Sequence, residues 1–283
     1  MALVEQLRKG LQELGYVEGK NLVIEMRFAE GNLDRLQSLA QELAGLKPDA
    51  IVTAFGPTAI AAKNAVSDVP VVFTLVGAPK DLGVVRDLAR PGGNVTGLSS
   101  VNIDLAQKRL ELLRELIPKV QRVGFIHSGM NVVDRAKLDQ ARTAAARLSI
   151  DIIPIDTGRA SYSHAFERAI KAQVQAAVVT FNSESFDMRR EIVRLAESRK
   201  LPVVYEMRAF VDDGGLFSYS VNQYAQIARA ARYVDRIAKG TKPGDLPVEQ
   251  PVTLESVVNL RAAMAIGVVV PDIFMIRADS VIQ

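Results

Sequence analysis

The chain contains no cysteine. Disulfides, thiolate metal sites and cysteine nucleophiles are therefore excluded, and the composition is compatible with an oxidising or a reducing compartment. Histidine is nearly as scarce. His127 and His164 lie far apart without metal-ligand spacing, so no metal site is expected. No apolar run approaches the roughly 18 residues that a membrane-spanning helix requires. The start, MALVEQLRKG, has no charged head followed by an apolar stretch, so the sequence predicts no signal peptide in this chain. Clustered basic charge is missing too. The 35 Lys and Arg are interspersed with 32 Asp and Glu for a net charge of +3, and nucleic-acid binding is not expected.

Enzyme signatures are also lacking. There is no G-x-S-x-G nucleophile elbow, and no G-x-G-x-x-G follows a strand pattern. RPGGNVTGL is rich in glycine but lacks the Lys-Ser/Thr of a phosphate loop. Asp212 and Asp213 precede Gly214 and Gly215, which reads as a turn. No catalytic residue and no cofactor is assigned.

What is present is a 283-residue chain, 48% hydrophobic and 24% charged, with room for two cores. Leu3, Val4, Leu7, Leu11 and Leu14 repeat at helical spacing. NLVIEMRFAE alternates, with Leu22, Ile24, Met26 and Phe28 on one face, as a strand does. Asn32 suits an N-cap. DAIVTA reads as a short strand, about Pro57–Val66 as a helix, VPVVFTLV as a strand and DLGVVRDLAR as a helix.

The rhythm restarts after GNVTGLSSVN, with a helix from about Ile103 to Leu116. The strands QRVGFIH, IDIIPID, AAVVTF, LPVVYE and GGLFSYS then alternate with amphipathic helices, up to a long helix over Gln223–Lys239. This pattern predicts an α/β chain of parallel sheets in two doubly wound lobes. Residues 1–98 with about 221–250 are expected to form the first lobe. Residues 99–220 with about 251–283 are expected to form the second, the chain crossing back after the long helix.

In open parallel sheets, ligands sit beyond the carboxyl ends of the strands. The strand-to-helix corners here are built from small donors and acceptors: TAFGPT at 53–58, LVGAPKD after Thr74, HSGMN after the strand ending at Ile126, and FNSESFD after Thr180. Pro57 suits a first helical position, and the bare helix start favours an anionic ligand group. Turns need the same residues for purely structural reasons. Phe55, Phe181, Phe186, Tyr205 and Tyr219 lie near strand ends, where they either pack into the core or stack on a flat ligand. Glu206 and Arg208, just past a strand, could meet a ligand's charges or be solvated.

Several phrases together resemble a known family. GLQELGYVEGKNLVIEMRFAEGNLDRL, LARPGGNVTGLS, KRLELLRELIP, DLPVEQP and the ending IRADSVIQ look like the substrate-binding proteins of ABC transporters, of the tryptophan/tyrosine type. The resemblance covers essentially the whole chain. It implies a type I periplasmic-binding-protein fold, two lobes joined by several crossovers and closing on one small molecule, an amino acid or aromatic carboxylate. It also implies an extracytoplasmic, periplasmic location and a membrane permease as partner.

Carried over by position, the ligand-binding set is Thr53, Phe55, Gly56, Pro57, Thr58, Val76 and Gly77 in the first lobe. In the second lobe it is Ser128, Asn131, Phe181, Asn182, Ser183, Tyr205 and Glu206. HSGMN departs from the proline-containing asparagine turn of many relatives, which leaves the ligand open. Relatives also have a secretion signal and a strand ahead of the helix at Leu3. The first strand of lobe 1 is therefore expected to be missing, with a dimer or chain exchange as one way to fill the gap. Two other functions stay open, a small-molecule sensor domain and an enzyme using His127 or Glu206 as general base.

Overall fold

The computed structural model describes residues 2–100, 105–127, 132–158, 161–250 and 253–283. The chain divides into two compact units, Met1–Val101 with Asn222–Val252, and Asn102–Val221 with Thr253–Gln283. The first unit begins with α1 (Ala2–Glu13) and α2 (Leu36–Gly45), followed by β1 (Ile51–Ala54), α3 (Gly56–Ala65), β2 (Val71–Gly77) and β3 (Val95–Ser100). The second begins with α4 (Ala106–Leu116), β4 (Arg122–His127), α5 (Val132–Arg147), β5 (Asp151–Asp156), α6 (Tyr162–Lys171) and β6 (Ala176–Val179). It continues through α7 (Ser183–Asp187), α8 (Arg189–Ser198), β7 (Val203–Tyr205), α9 (Arg208–Asp212) and β8 (Phe217–Val221). Then α10 (Gln223–Ala238) returns to the first unit. Finally β9 (Leu254–Asn259), α11 (Leu260–Ile266), α12 (Asp272–Arg277) and β10 (Ser280–Ile282) complete the second.

In unit 1, β1, β2 and β3 form a parallel sheet in that order. β2 is its middle strand and is buried from Val71 to Val76, which explains its continuous apolar run. Ile51, Ala59, Ala62, Val71, Phe73, Val76, Val84 and Val95 pack as one cluster. A second cluster joins Val72 and Leu98 to Ala230, Tyr233 and Leu246, with Leu7 of α1 against it. α1 lies on α10 so closely that a Cβ on Gly10 would stand 2.4 Å from the Ala228 carbonyl oxygen. Only glycine fits that crossing.

In unit 2 the strand order is β10-β9-β8-β7-β6-β4-β5. β4 is followed by β5 on one side and then by β6 on the other, so the loops leaving β4 and β6 diverge. That is a topological switch point. The core beneath it joins Leu110, Leu113, Phe125, Val178, Phe217 and Phe274. Burying each such side chain is worth about 1.5–3 kcal/mol.

The structure corrects several expectations. Residues 22–29 form no strand. Leu22, Ile24 and Met26 are half-buried, with Val23 exposed between them, so the alternation is real as far as Met26; Phe28, expected on the same face, is exposed. Alternation reports a face, however, and a strand also needs a ladder of partners; Leu22 makes one isolated bridge to Glu18, and 23–29 pair with no strand among the described residues. Nor are residues 81–90 a helix. Val84 N–H and Val85 N–H both bond the Pro79 carbonyl, and the Asp87 carboxylate takes the N–H groups of Ala89 and Arg90 at 2.9 Å each. A side chain that accepts main-chain donors locally offers the backbone an alternative to the helix.

The larger sheet is not parallel throughout, because β8 pairs antiparallel with β9. The stretch Val95–Ser100, for which no strand was expected, is β3. The helix expected between AAVVTF and LPVVYE comes in two pieces, α7 and then α8 after Met188. The start at Ile103 read for the helix that contains α4 lies outside the described residues.

Candidate functional site

The carboxyl ends of the parallel strands are built differently in the two units. In unit 1, β1 turns into α3 at Phe55, whose backbone stands at φ 75° and ψ 159°. That region is essentially restricted to glycine, and a residue held there costs about 1–3 kcal/mol. The corner is over-determined by hydrogen bonds. Phe55 N–H donates to Thr74 O at 3.0 Å, and the Thr58 hydroxyl donates to Phe55 O at 3.0 Å and to Ala54 O.

Pro57 occupies the first turn of α3 and has no N–H to satisfy. The N–H groups of Gly56 and Thr58 lack helical acceptors, as first-turn donors do. On the neighbouring strand the register shifts between Phe73 and Val76, with Leu75 at φ 57° and Ala78 at φ 48°. Gly97 of β3 allows this bulge, since a Cβ there would stand 2.0 Å from Phe73 O. Three strained non-glycine residues thus mark the carboxyl ends of β1 and β2.

In unit 2, a row of buried polar residues runs along the strand ends: Thr157 after β5, His127 ending β4, Thr180 after β6 and Glu206 after β7. Thr157 N–H bonds His127 O at 2.8 Å and Thr180 N–H bonds Ile126 O at 2.9 Å, so the three neighbours are in lateral register. His127 Nδ1 is 3.9 Å from the Asp156 carboxylate.

Glu206 is the centre of an ion cluster. Its Oε1 accepts from the Arg109 guanidinium at 2.8 Å. Its Oε2 accepts from Lys137 Nζ at 2.5 Å and from Phe181 N–H at 2.9 Å. Arg109 Nε also donates to Tyr219 O at 2.8 Å, and Lys137 Nζ to Phe181 O at 3.2 Å. Burial by itself raises the Glu206 carboxyl, but Lys137, Arg109 and the bonds from Lys137 and Phe181 outweigh it and hold the group below its ordinary value. Burial lowers the Arg109 guanidinium, with Glu206 opposing.

The expected site residues fall into four groups. Thr53, Phe55, Gly56, Thr58 and Gly77 in unit 1, and Phe181, Asn182 and Ser183 in unit 2, are half-buried at strand ends, and Pro57 is exposed. Val76 and Tyr205 belong to the cores. Val76 is fully buried, and the Tyr205 ring stacks on Phe210 at 4.9 Å, where burial pushes its phenol well above the ordinary value. Glu206 is 2% exposed, with both oxygens engaged as described. Asn182 caps α7, its side chain accepting from Ser185 N–H at 2.8 Å while the Ser185 hydroxyl accepts from Asn182 N–H at 2.9 Å. Ser128 and Asn131 lie outside the described residues. Arg208 pairs with Asp212 at 3.2 Å and Glu255 at 3.4 Å.

Sequence reasoning missed Arg109 and Lys137. The signal was there. Arg109 stands on the same helical stripe as Ala106, Leu110 and Leu113, and Lys137 beside Leu138 and Ala141, so each is a charge on an apolar face. Several hydroxyl oxygens at these strand ends are buried without a protein partner: Thr53 and Thr74 in unit 1, and Thr157, Thr180 and Ser183 in unit 2. Such a group costs about 1–3 kcal/mol unless it is satisfied. Among the described residues, no three His, Asp or Glu side chains converge as metal ligands. No helix among them is long and apolar enough to cross a membrane.

Comparison with known proteins adds to this geometry. The family model described as ABC transporter substrate binding protein matches residues 1–282. A tyrosine-binding protein of Clostridioides difficile strain R20291 is 26% identical over 252 residues, covering 89% of this chain and 72% of that protein. The crystal structure of a conserved domain protein from Vibrio cholerae O1 biovar El Tor superposes with a TM-score of 0.87 at 27% identity, over 99% of this chain and 94% of that one. An ABC domain from Streptococcus pneumoniae in complex with L-Trp gives 0.86 at 25% identity, over 99% and 95%. The α/β fold expected from the sequence is that of the periplasmic binding proteins.

Proposed function

The chain belongs to the ABC transporter substrate-binding protein family, and we propose that it is the solute receptor of an importer, binding one aromatic amino acid such as L-tryptophan or L-tyrosine. The relatives that bind tyrosine and L-Trp support the ligand class. The observation that carries the reading is the set of buried hydroxyl oxygens without protein partners at Thr53, Thr74, Thr157, Thr180 and Ser183. All stand beyond or near the carboxyl ends of parallel strands, where such folds bind ligands. The bare first turn of α3 suits a carboxylate, and the aromatic ring of the half-buried Phe181 suits stacking on an aromatic side chain.

The finer parts of the proposal are an extracytoplasmic location, a membrane permease as partner, and closure of the two units on binding. The receptor reading includes no turnover. Glu206, the carboxylate that an enzyme would use as base, accepts bonds from two cations and is held below its ordinary value, which makes it a weak proton acceptor. A thermal-shift panel of amino acids, aromatic acids and nucleosides tests the proposal. Aromatic amino acids are expected to raise the melting temperature and to be recovered unchanged. Stabilisation by none of them, or their conversion to product, would refute it.

A further inference from the structure

The buried cluster of Arg109, Lys137 and Glu206 is tied to the main chain at one place beside the candidate site. Glu206 accepts from Phe181 N–H, and Lys137 donates to Phe181 O. Both peptide groups flanking the Phe181 Cα are thereby fastened to the same ion cluster. Phe181 is half-buried, and its ring meets Phe186 edge-on, with centroids 6.2 Å apart, while the Arg189 guanidinium lies 4.6 Å over Phe186.

A corner held by turn geometry alone would need none of this. Asn182 and Ser185 already close the turn with their own capping box. The cluster is formed by residues from three elements, α4, α5 and the end of β7, and burying three charges there carries a desolvation cost of several kcal/mol per ion.

We propose that Arg109, Lys137 and Glu206 are positioning residues that set the pose of the Phe181 ring, and that this ring is the stacking face that selects an aromatic ligand. The selection rests on the receptor reading above; the positioning does not. Glu206 in this account does not touch the ligand. It acts through Phe181, whose orientation decides whether an offset-stacked or edge-on contact is available.

The test is a double-mutant cycle by calorimetric titration of the full chain with L-tryptophan, using Glu206→Gln, Phe181→Leu and the double variant. Each is first checked for a wild-type circular dichroism spectrum. Glu206→Gln is expected to weaken binding about tenfold with Phe181 present and less than about twofold with leucine at that position. Equal losses in the two backgrounds overturn the proposal. If Glu206→Gln does not fold, Lys137→Met, which leaves the Arg109–Glu206 pair in place, takes its part in the cycle. If wild-type protein binds neither L-tryptophan nor L-tyrosine, the ligand reading has failed. The positioning role is then decided by carbon-13 NMR of the Phe181 ring in the free protein. Altered ring signals in the substituted protein support it, and unchanged signals overturn it.

Discussion

The two units reach similar strand-to-helix corners by opposite means. Unit 1 holds its corner with the backbone: Phe55 sits in a conformation that suits glycine, and a threonine hydroxyl on two carbonyls keeps it there. Unit 2 holds its corner with charge, since the Phe181 peptides are pinned by a buried carboxylate and a buried ammonium. A backbone-built corner leaves the first-turn N–H groups of α3 without helical acceptors. A charge-built corner engages both the N–H and the carbonyl of Phe181.

The comparison can be broken by substitution, and the largest effect is expected in unit 2. Glu206→Leu would leave Arg109 and Lys137 buried without their counter-charge. A loss of about 3–5 kcal/mol is expected, read in denaturant unfolding and confined by hydrogen exchange to amides of unit 2. Loss spread equally over both units would remove the distinction.

Acid should act on the same unit. The Glu206 carboxyl is held below its ordinary value of 4.5 in the folded protein. Above that pH it is ionised whether folded or unfolded, and its contribution is fully present. As pH falls below that value the unfolded chain takes up the proton first, so stability declines and is lost as pH passes through the folded value. Melting curves across the acid range should show this slope in the wild type and a shallower one in Glu206→Gln. Parallel curves would contradict the assignment.

Unit 1 should respond with the opposite sign. Phe55→Gly relieves a strained backbone, so a gain of up to about 1–2 kcal/mol is expected, less what the half-buried ring contributed. Binding should weaken as the corner loosens. A clear destabilisation would mean that the ring outweighs the strain. The smallest effect is expected for Thr58→Val, which keeps the shape and removes the hydroxyl donor at Ala54 and Phe55. About 1 kcal/mol of stability should be lost in a thermal melt, and no loss would mean that the corner holds without it.

Much of this was legible in the chain. Short apolar runs such as VVFTLV and RVGFIH announced buried parallel strands, because a strand covered on both faces has no polar side to display. Val95–Ser100 was not legible as a strand, because Val95 and Leu98 are the only large apolar residues among hydroxyls and a glycine that the β2 bulge requires. Residues 22–29 had the right alternation, but alternation cannot say whether a neighbouring strand exists. At the candidate site, the corners were visible from their glycines, prolines and hydroxyls. The cluster was not, because its members are 97 and 69 residues apart along the chain from Glu206. A charge on an apolar helical face signals a buried partner without saying which one.

Calorimetric titration of the wild-type chain with L-tryptophan, followed by chromatography of the recovered amino acid, tests the receptor assignment most directly. The account predicts saturable binding of one molecule per chain and quantitative recovery of unaltered L-tryptophan. Absence of heat with L-tryptophan and with L-tyrosine, or the appearance of a product, would contradict it.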